Sequence, residues 1–129
     1  MSKKPLEWFK QADYDIKTAE YLFIGRKYIY SVFFCHLSLE KALKGLYQKR
    51  LGKLPPKVHN LIYLIEKIGV ELPDDLYKWV SALNRISIPT RYPEDLRKMQ
   101  KDYNKKNTEE IIKKTKEVLK WLKNQLKRQ

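Results

Sequence analysis

The chain has 129 residues, a length that suits one hydrophobic core. Hydrophobic residues make up 43% of the sequence and aromatic residues 12%, which supplies a packed interior and excludes an intrinsically disordered chain. Four glycines and six prolines are too few for the many turns of a sandwich or barrel, so an all-β fold is excluded. We expect residues 1–129 to form a single helical domain.

The charge of the chain is strongly positive and unevenly distributed. The 28 basic and 15 acidic residues give a net charge of +13. From Arg97 to the C-terminus, 12 basic residues stand against 4 acidic ones. Such a field favours polyanions such as RNA, DNA or nucleotides, or an acidic protein. The alternative is that the lysines only form a solvated face, and charge alone does not decide between these interpretations.

The single cysteine and the apolar runs indicate the compartment. Cys35 cannot form an intramolecular disulfide, and it lies in the apolar run Val32-Phe33-Phe34-Cys35, where a small buried residue is expected. No apolar run reaches the 18 residues of a membrane span, and the N-terminus lacks the apolar core of a signal peptide. We therefore expect a cytoplasmic protein that does not bind membranes.

Apolar periodicity predicts two long helices in the first half of the chain. The first runs from about Pro5 to a stop near Gly25. The second runs from near Tyr28 to Arg50 or Leu51, where Gly52 provides a left-handed cap. The first helix presents one apolar face, formed by Leu6, Phe9, Ala12, Ile16, Ala19, Leu22 and Phe23.

Two shorter helices are predicted next. Leucines and isoleucines at 61, 64, 65 and 68 mark a third helix that Gly69 ends, with Asn60 or His59 as its N-cap. The fourth begins at Pro73-Asp74-Asp75, because a proline and two carboxylates suit a helix N-terminus, and it continues towards Ile86.

The start of the last helix is predicted at Asn107, because Glu110 follows three residues later at the spacing of a capping box. Its predicted core face contains Ile111, Thr115, Val118, Leu122 and Leu126.

Residues 87–106, before this helix, show no clear apolar period, and a connector of this length is either functional or poorly ordered. These elements predict an all-α, up-and-down bundle of about four to five helices.

Few side chains could support metal or nucleophile chemistry. The sequence has no Gly-rich phosphate loop, no HExxH and no paired-cysteine zinc spacing. His36 and Cys35 are adjacent on a helix and point about 100° apart, so they do not share a metal. Glu40 lies one turn after His36, and this pair either does acid–base work or forms a satisfied polar contact inside the bundle. We expect no metal and no other cofactor.

Four ordered motifs carry a family resemblance. They are Ala12-x-x-Asp15-x-x-x-Ala19, then Glu40-Lys41-Ala42-Leu43-Lys44-Gly45-Leu46-Tyr47, then His59-Asn60-Leu61, then Arg91-Tyr92-Pro93. Together they resemble the HEPN domain, specifically the prokaryotic branch often encoded beside a minimal nucleotidyltransferase. The resemblance spans Leu6 to about Leu126.

The resemblance implies a helical bundle, commonly a homodimer, that takes part in nucleotide or RNA transactions and often in toxin–antitoxin systems. Many members of the family are metal-independent ribonucleases that carry an arginine, four to six intervening residues and a histidine. In such chemistry the arginine holds a phosphate while the imidazole moves the proton of a ribose hydroxyl.

This sequence departs from the ribonuclease motif. No histidine occurs after His59, and the windows at the motif's spacing from Arg26 and Arg50 contain none. From Arg85 the window contains Thr90, Arg91 and Tyr92, none of which titrates near neutrality. The sequence therefore predicts a non-catalytic partner of a minimal nucleotidyltransferase that binds nucleotide or RNA. The alternative is a metal-independent ribonuclease toxin with a degenerate motif.

Six residues are candidates for binding the phosphate of a nucleotide or RNA: Lys41, Lys44, His59, Arg85, Arg91 and Tyr92. Arg91 and Tyr92 either pair with phosphate and stack on a base, or Arg91 pairs with Glu40 and holds the connector against the second helix. His59 either anchors the start of the third helix or binds the ligand. On this hypothesis Glu40→Ala destabilises the fold by about 1–3 kcal/mol, whereas Lys44→Ala barely affects stability.

Overall fold

The computed structural model describes residues 4–86 and 93–128, and every regular element in these ranges is an α-helix. The all-α bundle predicted from the sequence is confirmed. Its described helices are α1 (Pro5–Ile24), α2 (Tyr28–Leu51), α3 (Leu61–Ile68), α4 (Asp74–Ile86), α5 (Pro93–Asp102) and α6 (Lys105–Lys127).

Helices α1 and α2 form a closely packed antiparallel hairpin. Small residues one heptad apart on α2 allow the two backbones to approach, because they leave no bulky side chain between the helices. The Ser31 hydroxyl donates to the Ala19 carbonyl at 2.7 Å, and the Ser38 hydroxyl donates to the Ala12 carbonyl at 2.8 Å. One heptad further, Gly45 lies against Trp8 and Phe9.

The core lies between this hairpin and the other helices. α6 packs against α1 and α2, α3 packs against α2, and α4 bridges α3 and α6. The largest completely buried side chains come from four helices: Val32, Leu39, Leu43, Leu46, Leu61, Leu64, Val80, Leu83, Thr108, Thr115, Val118 and Leu122. Most of the apolar periodicity therefore marks the residues that enter the core, and α6 buries one stripe while its lysines stay outside.

Most predicted helix ends are confirmed. Gly52 ends α2 at φ 67°, and Gly69 ends α3 at φ 77°, both in the left-handed region that favours glycine. Of the two candidate caps for α3, Asn60 is the N-cap, since its side-chain oxygen accepts a hydrogen bond from the backbone N–H of Tyr63 at 3.0 Å.

Three sequence predictions were wrong in detail. Leu6 was placed on the core face of α1, but it is 64% exposed. The N-cap of α6 is Asn104 and not Asn107, because the Asn104 side chain accepts from the backbone N–H of Asn107 at 2.9 Å. The predicted connector also contains α5, a ten-residue helix that is mostly polar and has too few apolar residues to be predicted from the sequence.

None of the described helices is both long enough and apolar enough to cross a lipid bilayer.

Candidate polar site at the junction of α2, α3 and α4

The centre of this site is the carboxylate of Glu40, which is buried in the middle of α2 and 3% exposed. Lys44, one turn later on α2, donates from Nζ to Glu40 Oε2 at 3.0 Å. His59, in the segment before α3, brings Nδ1 to 3.0 Å from Oε2 and 3.1 Å from Oε1. A buried charge is costly unless it is paired and hydrogen-bonded, and these two side chains provide the pairing.

The contact with Glu40 fixes the role of the His59 ring. An ionised carboxylate only accepts hydrogen bonds, so His59 Nδ1 is the donor of this pair. The side chain of His59 is 77% exposed, in contrast to the 4% of Glu40. A buried carboxylate therefore orients the imidazole through Nδ1 on one edge of the ring, while the rest of the ring is accessible to solvent.

The second imidazole, His36, lies inside the bundle one turn before Glu40. Its Nδ1 is 3.9 Å from Glu40 Oε1, which is beyond hydrogen-bond distance. Burial lowers the pKa of His36 below its ordinary value, and the nearby Glu40 carboxylate and Asn84 amide only partly oppose this effect. His36 is thus held in its neutral form beside the ion pairs.

Asn84 joins α4 to the start of α3. Its side-chain oxygen accepts from the backbone N–H of Leu61 at 2.8 Å, and its amide donates to the Asn60 side-chain oxygen at 3.1 Å. Arg85 follows directly and is exposed, with Nη1 donating to Ser81 at 3.2 Å. The end of α4 and the residues before α3 therefore form one edge of the site.

The structure separates the predicted ligand-binding residues into groups. Glu40, Lys44 and His59 are in contact, and Arg85 lies at the adjoining end of α4. Lys41 instead pairs with α1, where its Nζ lies 3.1 Å from Asp15 Oδ2.

Arg91 and Tyr92 lie outside the described residues, and so does the predicted pairing of Arg91 with Glu40. The described partners of Glu40 are Lys44 and His59. The prediction that Lys44→Ala barely affects stability does not fit, because Lys44 is 8% exposed and neutralises a buried carboxylate.

The family model for the HEPN domain matches residues 6–125, which is nearly the whole chain. The chain belongs to the HEPN domain family. It is similar to the crystal structure of ST0689, an archaeal HEPN homologue, with 27% identity, a TM-score of 0.78 and coverage of 98% of this chain and 100% of that one. It is also similar to the crystal structure of TT1696 from Thermus thermophilus, with 25% identity, a TM-score of 0.80 and coverage of 93% and 96%. No curated protein matches the chain.

The first motif of this HEPN domain is structural. Ala12 and Ala19 lie where α1 touches α2, and Asp15 between them is buried and paired with Lys41. This ion pair was not predicted from the sequence, although the position of Asp15 within a small-residue face is a usable signal. Asn84 was not predicted either, because its partners belong to a different part of the chain and leave no local pattern.

The described residues of this HEPN domain contain no cluster of three or more histidine, cysteine, aspartate or glutamate side chains placed to hold a metal ion.

Proposed function

We propose that this HEPN protein is a non-catalytic partner of a minimal nucleotidyltransferase in a toxin–antitoxin-like system and binds the phosphate of a nucleotide or RNA. The observation that supports a non-catalytic role is that neither His36 nor His59 follows an arginine at the spacing of the ribonuclease motif.

Phosphate binding is best supported at Arg85 and His59, which flank in sequence the hydrogen-bonded residues Asn84 and Asn60. Both side chains are exposed, and Arg85 is engaged only by the neutral Ser81 hydroxyl among its described hydrogen bonds. Arginine can bind a phosphate through two parallel N–H donors, which lysine cannot do. The lysines at 41 and 44 already pair with carboxylates, so they contribute less than the sequence suggested.

Binding is tested by titrating a labelled single-stranded RNA with the purified protein and measuring fluorescence anisotropy. Arg85→Ala is expected to weaken binding at least about threefold and to reduce the salt dependence by about one released counterion. Arg128→Ala, an exposed arginine at the end of α6, is the matched control. Equal affinities of the two variants would contradict the Arg85 site.

The partnership is tested by co-expressing the protein with a minimal nucleotidyltransferase encoded beside its gene. A complex of fixed stoichiometry on size exclusion is expected. Separate elution of the two proteins at about 10 μM, where an interface of standard size is occupied, would contradict the partnership without affecting phosphate binding.

The second candidate function is a metal-independent ribonuclease, and the Glu40–His59 pair favours it. A carboxylate that orients an exposed imidazole is an arrangement able to move a proton. Purified protein is incubated with RNA in the presence of a chelator. Chelator-resistant cleavage that disappears in both His59→Ala and Arg85→Ala would replace the non-catalytic proposal, whereas intact RNA supports it.

A further inference from the structure

A groove between α1 and α6 consists of two adjoining hollows with volumes of about 370 and 450 Å³. Glu20 of α1 and Lys116 of α6 line both hollows, and these two side chains form an ion pair. The pair therefore stands between the hollows and joins the two helices. We call the two hollows that share Glu20 and Lys116 the α1–α6 groove. Its described lining residues include neither Glu40 nor Arg85, so the groove is separate from the polar site.

Apolar residues form the floor of each hollow and repeat after one heptad. Ile16 and Leu119 line one hollow, and Phe23 and Ile112 line the other. Ile16 and Phe23 are seven residues apart on α1, and so are Ile112 and Leu119 on α6. At 1.5 Å per residue, the two apolar layers are about 10.5 Å apart. Apolar residues at i and i+7 of another helix have the same separation, so that helix could place one side chain in each hollow.

The ion pairs across the groove follow the same repeat. Lys123 Nζ lies 2.6 Å from Asp13 Oδ1, one heptad along both helices from the Lys116–Glu20 pair. All four side chains are between 40% and 50% exposed. Exposed ion pairs contribute little free energy, because water and salt screen them. A carboxylate from another molecule can therefore replace Glu20 on Lys116 at low cost.

The charge of the groove favours an acidic occupant. Five lysines and three acidic residues line its described part, which gives a net charge of +2. Lys17, Lys113 and Lys120 are exposed, and none of them takes part in a described ion pair. The groove therefore combines a buried apolar floor with exposed cations that have no counter-charge, and complementary charge on a partner favours its approach and fixes its register.

We propose that the α1–α6 groove binds an amphipathic helix of an acidic partner protein. Apolar residues seven positions apart enter the two hollows, and a carboxylate between them takes the place of Glu20 on Lys116. Helices that dock in grooves use anchors at this spacing. A polyanion without apolar groups would leave both hollows empty. A second copy of this chain, with its net charge of +13, complements the lysines less well than an acidic helix does.

The probe for this proposal is a labelled synthetic peptide of about 14 residues, with leucines at i, i+3 and i+7 and glutamates beside them. Its binding to the full chain is measured by fluorescence anisotropy. A peptide of the same composition in scrambled order carries the same charge without the apolar stripe. The ordered peptide is expected to bind about tenfold more tightly, because only its leucines can enter both hollows together.

Two charge variants locate the peptide in the groove. Lys120→Glu is expected to weaken binding of the ordered peptide about threefold or more, whereas Lys127→Glu, exposed on α6 outside the groove, leaves it nearly unchanged. Glu20→Gln is expected to strengthen binding about twofold, because it removes the carboxylate that competes for Lys116. Glu110→Gln makes the same change of charge outside the groove and is its control.

Methyl NMR of isoleucine-labelled protein provides an independent readout. The ordered peptide is expected to shift the signals of Ile16 and Ile112 and to leave that of Ile65, which is buried in α3, unchanged. Arg85→Ala is expected to leave peptide affinity unchanged, so failure of phosphate binding at Arg85 would not affect this proposal.

Three results overturn the inference. One is equal affinity of the ordered and scrambled peptides, which would mean that charge alone attracts them. The second is equal affinity of Lys120→Glu and Lys127→Glu for the ordered peptide, which would place it outside the groove. The third is a changed oligomeric mass of Lys120→Glu in light scattering, which would assign the groove to a contact between copies of this chain.

Discussion

Glu40 shows how a charged residue can occupy the interior of a small helical bundle. Its two oxygens share contacts with Lys44 and His59, and its position on α2 brings the segment before α3 against the centre of the molecule. Breaking a buried pair leaves an uncompensated charge, which is more damaging than never having had the pair. These contacts therefore hold the start of α3 in place as well as neutralise the carboxylate.

Lys44→Ala is expected to lower the free energy of unfolding by about 2–4 kcal/mol, because the Glu40 carboxylate keeps only His59 as a close partner. Urea denaturation followed by circular dichroism measures the change. Lys49→Ala, on the same helix but exposed, is the control and is expected to have almost no effect. Equal stability of both variants would show that the Lys44–Glu40 contact does not matter.

The stability of the fold is expected to fall below about pH 6.5 because of His36. Burial lowers the pKa of His36 from its ordinary 6.5, so the unfolded chain binds a proton at higher pH than the folded chain. The contribution is complete above that pH and decreases at lower pH, by at most about 1.4 kcal/mol per pH unit.

Urea midpoints measured between about pH 7.5 and 5.5 test the His36 prediction. His36→Gln is expected to flatten the decline, whereas Lys49→Gln, at an exposed position of the same helix, keeps it. A His36→Gln variant with the full pH dependence of the parent protein would rule out His36 as its source.

At the scale of helices, the α1–α2 contact depends on small residues in register. Ser31, Ser38 and Gly45 are each seven residues apart on α2, and they face Ala19, Ala12 and the start of α1. The two serines also satisfy their hydroxyls on α1 carbonyls, so burial leaves neither group unpaired. The hairpin is therefore specified by an arrangement that spans two helices.

Gly45→Ala is expected to destabilise the protein by about 1–2 kcal/mol. A Cβ at Gly45 would lie 2.9 Å from the Trp8 Cβ and 3.0 Å from the Phe9 ring, so α1 must shift. Overpacking costs about 1–3 kcal/mol, and the better helix propensity of alanine offsets only up to about 1 kcal/mol. Thermal and urea unfolding measure the difference.

Gly25→Ala is the matched control for this substitution. Its Cβ would meet only carbonyl oxygens at 3.7 and 3.8 Å, which is ordinary contact, and φ is −79°. Alanine there is expected to be neutral or slightly stabilising. A Gly45→Ala variant as stable as Gly25→Ala would show that the close approach of α1 to α2 is not required.

At the scale of the molecule, part of the lysine-rich face of α6 is used internally. Lys123 Nζ lies 2.6 Å from Asp13 Oδ1, and Lys116 pairs with Glu20, so two lysines of α6 form ion pairs with acidic residues of α1. These exposed pairs contribute little stability each. They reduce the charge that α6 presents to a polyanion, which makes Arg85 the better candidate for binding phosphate.

A homodimer is predicted from the family resemblance and from the outer face of α1. Tyr14, Tyr21 and Ile24 are 74%, 76% and 80% exposed there, which is unusual for large apolar side chains on one helix. Light scattering at about 10–50 μM is expected to give twice the chain mass of 15.6 kDa. The Tyr14→Glu, Tyr21→Glu double variant is expected to give the monomer mass, and a monomer before substitution would refute the dimer.

The sequence by itself determined the helical class and most of the helix ends. Apolar residues at helical spacing must face a core, and glycines such as Gly52 and Gly69 supply the left-handed cap that other residues adopt only with strain. These are local effects, so a single sequence reveals them. α5 was missed because its ten residues include only two large apolar ones, Leu96 and Met99, too few to mark a helical period by themselves.

Only the tertiary structure decided which polar residues act together. The sequence placed Lys41 and Lys44 in one motif, but helix geometry turns Lys41 to Asp15 of α1 and Lys44 to the buried Glu40. His59 meets its partner Glu40 only through the fold, because the two residues are distant in the chain. Burial and pairing across helices depend on how the whole chain packs, so the local helix propensities of the residues do not predict them.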